Sequence, residues 1–253
     1  MTRVPWTKDF PDAFVNAPWA SGDKRVATLS SHALYQSAKG ERNLEAAIAI
    51  VDDLYSRECV LSLVDYVEGL GGRPKIVSPS CQPGDSNNAL AIGYAEWLSH
   101  EFDWDVETEI FQQKTISRDK SPTWRRIANR CEFYGQIDKG ASYVIVDDVI
   151  TTGGTLADLR SFIHRKGGTV IAVSAIASRE GRPQKIRLGD DIRADLERFY
   201  GNDLGRFCHD HLGFSHECFT DGEAYAVRGC SGYVDLGKKI LRARDARHAR
   251  RSA

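Results

Sequence analysis

Four consecutive residues, Tyr143-Val144-Ile145-Val146, form a β-branched and aromatic run that ends in two adjacent carboxylates, Asp147 and Asp148. A run this short and this apolar fits a strand buried on both faces, as the strands of a parallel sheet are. Parallel neighbours cannot be joined by a tight turn, so a crossover must follow. The chain supplies one. Thr151 to Thr155 is a small, glycine-rich loop, and Leu156, Leu159, Phe162 and Ile163 then recur at helical spacing, with Gly167 placed to end the helix. Thr169 to Ala177 is a second buried run. Strand, helix and strand in this order imply an α/β fold: a parallel sheet with helices on both faces.

The alternation extends upstream. Lys75 to Ser78 reads as a short strand entering a Pro/Gly-rich turn, Asn88 to Phe102 as a helix, and Val106 to Phe111 as the next strand. Residues 73–178 are the expected α/β core. Residues 1–72 read as an N-terminal arm and helical extension: Pro5, Pro11 and Pro18 break any sustained period in the first 40 residues, and two helices follow. The first carries Leu44, Ala47, Ile48, Val51 and Leu54 on one face; the second runs from Val60 to Leu70 and ends at Gly71-Gly72. Residues 179–253 read as a C-terminal cap with helices at Asp191 to Tyr200 and Leu236 to Arg247 and a basic tail. Such an end serves as a cap or an oligomer arm and is compatible with a homodimer.

At 253 residues, 42% of them hydrophobic, the chain can bury a full core without help from disulfides or a partner. Scattered cysteines and no secretory signal point to reduced thiols and a cytoplasmic protein. No stretch nears the roughly 20 apolar residues that span a bilayer, so a membrane partner is not expected. The net charge of -1 gives no electrostatic reason to expect nucleic acid. Local charge differs: between Lys114 and Arg130, the cations Lys114, Arg118, Lys120, Arg125, Arg126 and Arg130 face Asp119 alone.

Acids at the end of a buried strand fall at the carboxyl edge of the sheet, where open α/β folds bind ligands. Two carboxylates there repel one another and lose hydration unless cations or hydroxyl groups compensate them. Vicinal ribose hydroxyls and a magnesium-bound water network would do so. The residues that follow, Thr151, Thr152, Gly153, Gly154 and Thr155, can present backbone N–H groups, hydroxyls and a positive helix end to a single phosphate. No G-x-G-x-x-G follows a strand, which disfavours a dinucleotide-binding dehydrogenase.

The stretch Val144 to Thr155 (apolar strand, two acids, two apolar residues, Thr/Gly-rich loop) resembles the phosphoribosyl pyrophosphate motif of type I phosphoribosyltransferases. The resemblance implies transfer of a phosphoribosyl group from phosphoribosyl pyrophosphate to a nitrogenous base, with release of pyrophosphate. It implies Mg2+ carried by the ligand, with no direct protein ligand. It gives Asp147 and Asp148 to the ribose hydroxyls and Thr151 to Thr155 to the 5-phosphate. The family's mobile catalytic loop corresponds to Lys114 to Arg130, with Lys114, Arg118 and Lys120 closing over the pyrophosphate. Its pyrophosphate turn corresponds to Pro79 to Asn88, where Ser80, Ser86, Asn87 and Asn88 are the side-chain donors. That turn carries no Lys or Arg here, which keeps a second class open: a non-catalytic regulatory protein of the same fold that binds a phosphoribosyl ligand. Relatives acting on hypoxanthine and guanine usually carry a third acid at the position of Thr151, so the motif leans away from 6-oxopurines.

Cys208, His209, His211, His216 and Cys218 are the residue types that bind zinc, but their spacing matches no paired pattern, so zinc is not expected. His100 and His164 fall within helical patterns and read as surface or satisfied residues.

Overall fold

The computed structural model describes residues 2–81, 88–113 and 122–249. Phe14–Pro18 (β1), Lys75–Val77 (β2), Asp105–Val106 (β3), Ser142–Ile150 (β6) and Thr169–Ser178 (β7) form one parallel sheet in the order β1-β7-β6-β2-β3. A separate antiparallel ribbon pairs Ile110–Gln112 (β4) with Phe133–Gly135 (β5).

The two-residue period of the strands sorts the core into two layers. On one face Val144, Val146, Ala172 and Ile176 pack against α1 (Tyr35–Gly40), α2 (Leu44–Leu54), α3 (Arg57–Gly69) and α4 (Ala89–Phe102). On the other, Tyr143, Ile145, Val173 and Ala175 pack against α6 (Gly154–Lys166) and the N-terminal Trp6 and Phe10. The sheet is thus covered by helices on both faces, as the alternation of elements implies. Asn43 and Ser56 start α2 and α3 by accepting from the N–H groups of Ala46 and Cys59.

A third cluster lies in the C-terminal part. Helices α7 (Asp190–Tyr200), α8 (Leu204–Leu212), α9 (Asp221–Arg228) and α10 (Tyr233–Ala249) bury Leu196, Leu204, Phe219, Val227, Leu236 and Ile240. Ile127 and Ala128 of α5 (Thr123–Ala128) join them, and Asn129 Nδ2 donates to the carbonyl of Ala243 at 3.1 Å. The end of the basic segment is therefore docked on the cap.

Two sequence expectations are corrected. The first 40 residues do not form only an irregular arm, because Phe14–Pro18 is an edge strand in register with β7, Phe14 opposite Ser174 and Ala17 opposite Ala177. The expected strand from Val106 to Phe111 is two strands in different sheets, broken across residues 107–109. Among the described residues, no helix is long and apolar enough to cross a membrane.

His164, on α6, is half-buried with its Nε2 accepting from the N–H of Val170 at 3.2 Å. Burial, with the charge of Arg160, pushes its pKa down from 6.5 to about 4. The folded state thus holds fewer protons than the unfolded chain between these values. Stability is full above pH 6.5 and declines as pH falls through about 4. His164→Gln is expected to flatten this part of the stability profile, measured as urea midpoints from pH 7 downward; an unchanged slope in the variant contradicts the assignment.

Candidate functional site

The sheet connections create a crevice. From β2 the chain crosses by α4 to β3, and from β6 it crosses by α6 to β7 in the opposite direction, with α4 and α6 on opposite faces. Adjacent strands whose connections diverge in this way mark the topological switch point where α/β sheets bind ligands. Pairing of β2 with β6 stops at Val77 opposite Ile145, whereas β6 continues beside β7 to Ile150 opposite Ser178. Asp147 and Asp148 lie on this overhang.

The two carboxylates differ in state. Lys39 Nζ, from α1, donates to Asp148 Oδ2 at 2.6 Å and to Asn88 Oδ1 at 3.3 Å. Burial opposes ionisation of Asp148, but the Lys39 ammonium outweighs it and holds the carboxyl below its ordinary range. Asp147 is pushed well above that range by burial and then by the charge of Asp148. The backbone N–H groups of Asp148 and Val149 donate to Asp147 Oδ1 and Asp148 Oδ1 at 2.9 and 2.8 Å, which fixes both side chains. The pair therefore holds its negative charge on Asp148, beside Lys39, while burial and that charge work against ionisation of Asp147.

The loop leaves the strand as expected. Gly153 has φ 76°, the left-handed conformation, and serves as the N-cap of α6, with Gly154 the first helical residue. No acid occupies the first turn of α6, so none of its own side chains there offsets the positive helix end. Space is also limiting. A Cβ on Gly153 would stand 3.2 Å from Ile186 Cγ1, and one on Gly154 would stand 2.6 Å from Glu223 Oε1. Thr151 is exposed and its Oγ1 accepts from Arg126 Nη1 at 2.6 Å, while its carbonyl accepts from Gln184 Nε2 at 3.2 Å. The Thr220 hydroxyl donates to the carbonyl of Thr152. Thr155 Oγ1 lies 3.7 Å from Cys131 Sγ.

A buried charge cluster supports this loop from behind. Arg3 donates through Nε to Asp158 Oδ1 at 2.7 Å, through Nη2 to Glu223 Oε1 at 2.9 Å and to the Gly154 carbonyl at 3.1 Å. Arg130 Nε donates to the same Asp158 oxygen at 2.8 Å, and the N–H of Cys131 to Asp158 Oδ2 at 3.0 Å. Both guanidiniums lie over the Phe214 ring, 4.5 and 4.4 Å from its centroid. Glu223 also closes a capping box with Thr220 at the start of α9. The N-terminus, α6, the end of the basic segment and the cap thus meet beneath the Thr151 to Thr155 loop.

Of the residues expected in the site, Asp147, Asp148 and Thr151 to Thr155 come together at the carboxyl edge. Ser80 and Asn88 stand at the two ends of the Pro79 to Asn88 turn: the Ser80 carbonyl accepts from the N–H of Gln112 at 2.7 Å, and Asn88 precedes α4 and meets Lys39. Ser86, Asn87, Lys114, Arg118 and Lys120 lie outside the described residues. Within the basic segment Arg130 is corrected from a loop cation to a member of the buried cluster. Lys39 and Arg126 are additions. Lys39 stands in a stretch with no periodic signal, and Arg126 was one of six equivalent-looking cations. Cys208 and Cys218 are buried thiols in the cap core, and among the described residues no group of three or more His, Cys, Asp or Glu is arranged to hold a metal ion.

No family model matches the chain. Protein TraN of Escherichia coli is 29% identical over 243 residues, which cover 96% of this chain and 52% of that protein; the chain spans about half the length of this relative. An HGPRTase-like protein of Natronomonas pharaonis is 26% identical over 134 residues, 51% of this chain and 65% of that protein. The α/β fold is phosphoribosyltransferase-like. A crystal structure of adenine phosphoribosyltransferase from Leishmania donovani is 15% identical, covering 70% of this chain and 88% of its own with a TM-score of 0.34.

Proposed function

We propose that this chain is a phosphoribosyltransferase, transferring a phosphoribosyl group from phosphoribosyl pyrophosphate to a nitrogenous base with release of pyrophosphate. The observation that carries the reading is the overhanging end of β6. It places Asp148, held in its charged form by Lys39, and the buried Asp147 beside a left-handed glycine and the N-terminus of α6, at the switch point of the sheet. The loop N–H groups and threonine hydroxyls hold the 5-phosphate. Asp148 accepts from the ribose hydroxyls and faces the positive charge that develops on the sugar as pyrophosphate departs. Asp147 orients the sugar beside Asp148. Magnesium carried by the donor, with no direct protein ligand, would add positive charge at the leaving group.

Lys114, Arg118 and Lys120 take the part of a water-excluding lid. In support, the described residues on either side of that segment sit at the two halves of the site: Gln112 beside Ser80, and Arg126 on Thr151.

The test is pyrophosphate release from donor and magnesium with a panel of bases. Release with one base is expected, and neither hypoxanthine nor guanine should be efficient, because a threonine hydroxyl at position 151 is a poor general base near neutral pH. Rapid formation of inosine or guanosine monophosphate contradicts the acceptor prediction. Tight donor binding without turnover on any base favours the regulatory reading instead, and absence of donor binding overturns both.

A further inference from the structure

We propose that Gln184 and Thr220, both from the C-terminal cap, are positioning residues that aim the backbone N–H groups of Thr152 and Gly153 at a bound phosphate. The inference rests on the phosphoribosyltransferase reading and adds to its 5-phosphate loop two residues outside the motif. Gln184 Nε2 donates to the Thr151 carbonyl at 3.2 Å, and the Thr220 hydroxyl donates to the Thr152 carbonyl. Two successive peptide units of the loop are thus anchored by their oxygens. In a planar trans peptide the C=O and N–H point in opposite directions. Drawing the Thr151 carbonyl toward Gln184 therefore turns the Thr152 N–H away from the cap, and drawing the Thr152 carbonyl toward Thr220 does the same for the Gly153 N–H. Among the described residues neither N–H has an acceptor.

Both anchors are themselves held. The backbone of Gln184 exchanges two hydrogen bonds with Ala13, at 2.8 and 3.1 Å, which fixes the stem of its side chain. The buried Thr220 hydroxyl accepts from the N–H of Glu223 at 3.2 Å, which leaves its single proton for the Thr152 carbonyl. The cap backbone lies directly against the loop, since a Cβ on Gly222 would stand 3.0 Å from Thr152 Cα. Donors fixed in this way need no reorientation when an anion arrives.

The competing account is that the two contacts only fasten the cap to the core. By titration calorimetry with ribose 5-phosphate, Gln184→Met, which keeps the length and removes the donor, and Thr220→Val are each expected to weaken binding roughly twofold to tenfold, the net worth of one hydrogen bond. Thr220→Ser, which restores the hydroxyl, should recover it. Because Thr220→Val also uncaps α9, a second readout is needed. Ribose 5-phosphate should move the amide proton signals of Thr152 and Gly153 downfield in the unmodified protein; Gln184→Met should reduce the response of Thr152, and Thr220→Val that of Gly153. Any pattern in which the two responses do not follow their own anchors overturns the proposal. So does unchanged affinity with a lowered urea midpoint, which assigns the contacts to fastening the cap. If the unmodified protein does not bind ribose 5-phosphate, the phosphoribosyltransferase reading itself fails and the two assignments fall with it.

Discussion

Asp158→Ala is expected to lower folding stability by about 3–5 kcal/mol, the range for removing one partner from a buried ion pair. The side chains of Arg3, Asp158 and Glu223 are at most 2% exposed, and two guanidiniums balance two carboxylates. Deleting Asp158 leaves Arg3 and Arg130 to share Glu223 in a space that water does not reach, and unties the N–H of Cys131. The consequences should reach the loop. Arg3 also binds the Gly154 carbonyl, so loss of its anchor loosens the first turn of α6 as well as the docking of the N-terminus.

The acid dependence has a definite sign. Burial opposes ionisation of Asp158, but Arg3 and Arg130 outweigh it and hold its pKa below the ordinary carboxylate range. The stability it contributes is therefore complete above the unfolded-chain value and is lost as pH falls through the folded one. Denaturant titrations of the unmodified protein and Asp158→Asn should show a wide gap at neutral pH that narrows in acid. A gap that is small at neutral pH, or constant with pH, contradicts the cluster as described. Asp23→Ala, which breaks the exposed Asp23–Arg25 pair, should leave the midpoint unchanged, since such pairs are screened by solvent.

What the sequence reveals about this fold follows from the range of the forces involved. α6 and β7 are legible almost to the residue, Thr155 to Lys166 against Gly154–Lys166 and Thr169 to Ala177 against Thr169–Ser178, because local periodicity and the Gly167 stop both act within the segment, whereas β6, read as Tyr143 to Val146, runs from Ser142 to Ile150 because pairing with β7 carries it through both acids. The glycine turn at Gly153 and Gly154 is legible from the same local signals. β1 is not, since Phe14–Pro18 becomes a strand only by lying against β7. Asn16 shows how: its amide donates to the Ala175 carbonyl at 3.0 Å and to the Tyr94 hydroxyl at 2.9 Å, contacts far away in sequence. Lys39 is hidden likewise, its role depending on where α1 places it against Asn88 and Asp148. The basic segment exposes the limit of charge patterning: Arg126 and Arg130 are four residues apart, yet one reaches the exposed Thr151 and the other is sealed under the loop with Asp158. Composition gives the charges and only the fold gives their partners.

The acid pair is visible in the sequence, but which member carries the charge is not, and that difference yields an expected ranking. Lys39 keeps Asp148 ionised, while burial and Asp148 favour a proton on Asp147. Burial and the neighbouring charge already oppose ionisation of Asp147, so Asp147→Asn removes a charge the fold disfavours, whereas Asp148→Asn removes the charge that Lys39 stabilises. Asp148→Asn is expected to cost about 1.5–3 kcal/mol of affinity for phosphoribosyl pyrophosphate, as for a hydrogen bond to a charged group. By the factor of ten per roughly 1.4 kcal/mol, that is tenfold to more than a hundredfold. Asp147→Asn should cost less, and the two together about 2–5 kcal/mol. Calorimetry near pH 7.5 with magnesium, alongside circular dichroism to verify folding, provides the measurement. The reverse ranking would put the proton on Asp148 and leave the Lys39 contact without its electrostatic basis. Undiminished affinity in a folded double variant would remove the acids from the ligand site altogether, leaving the glycine loop as a phosphate site without a sugar site beside it.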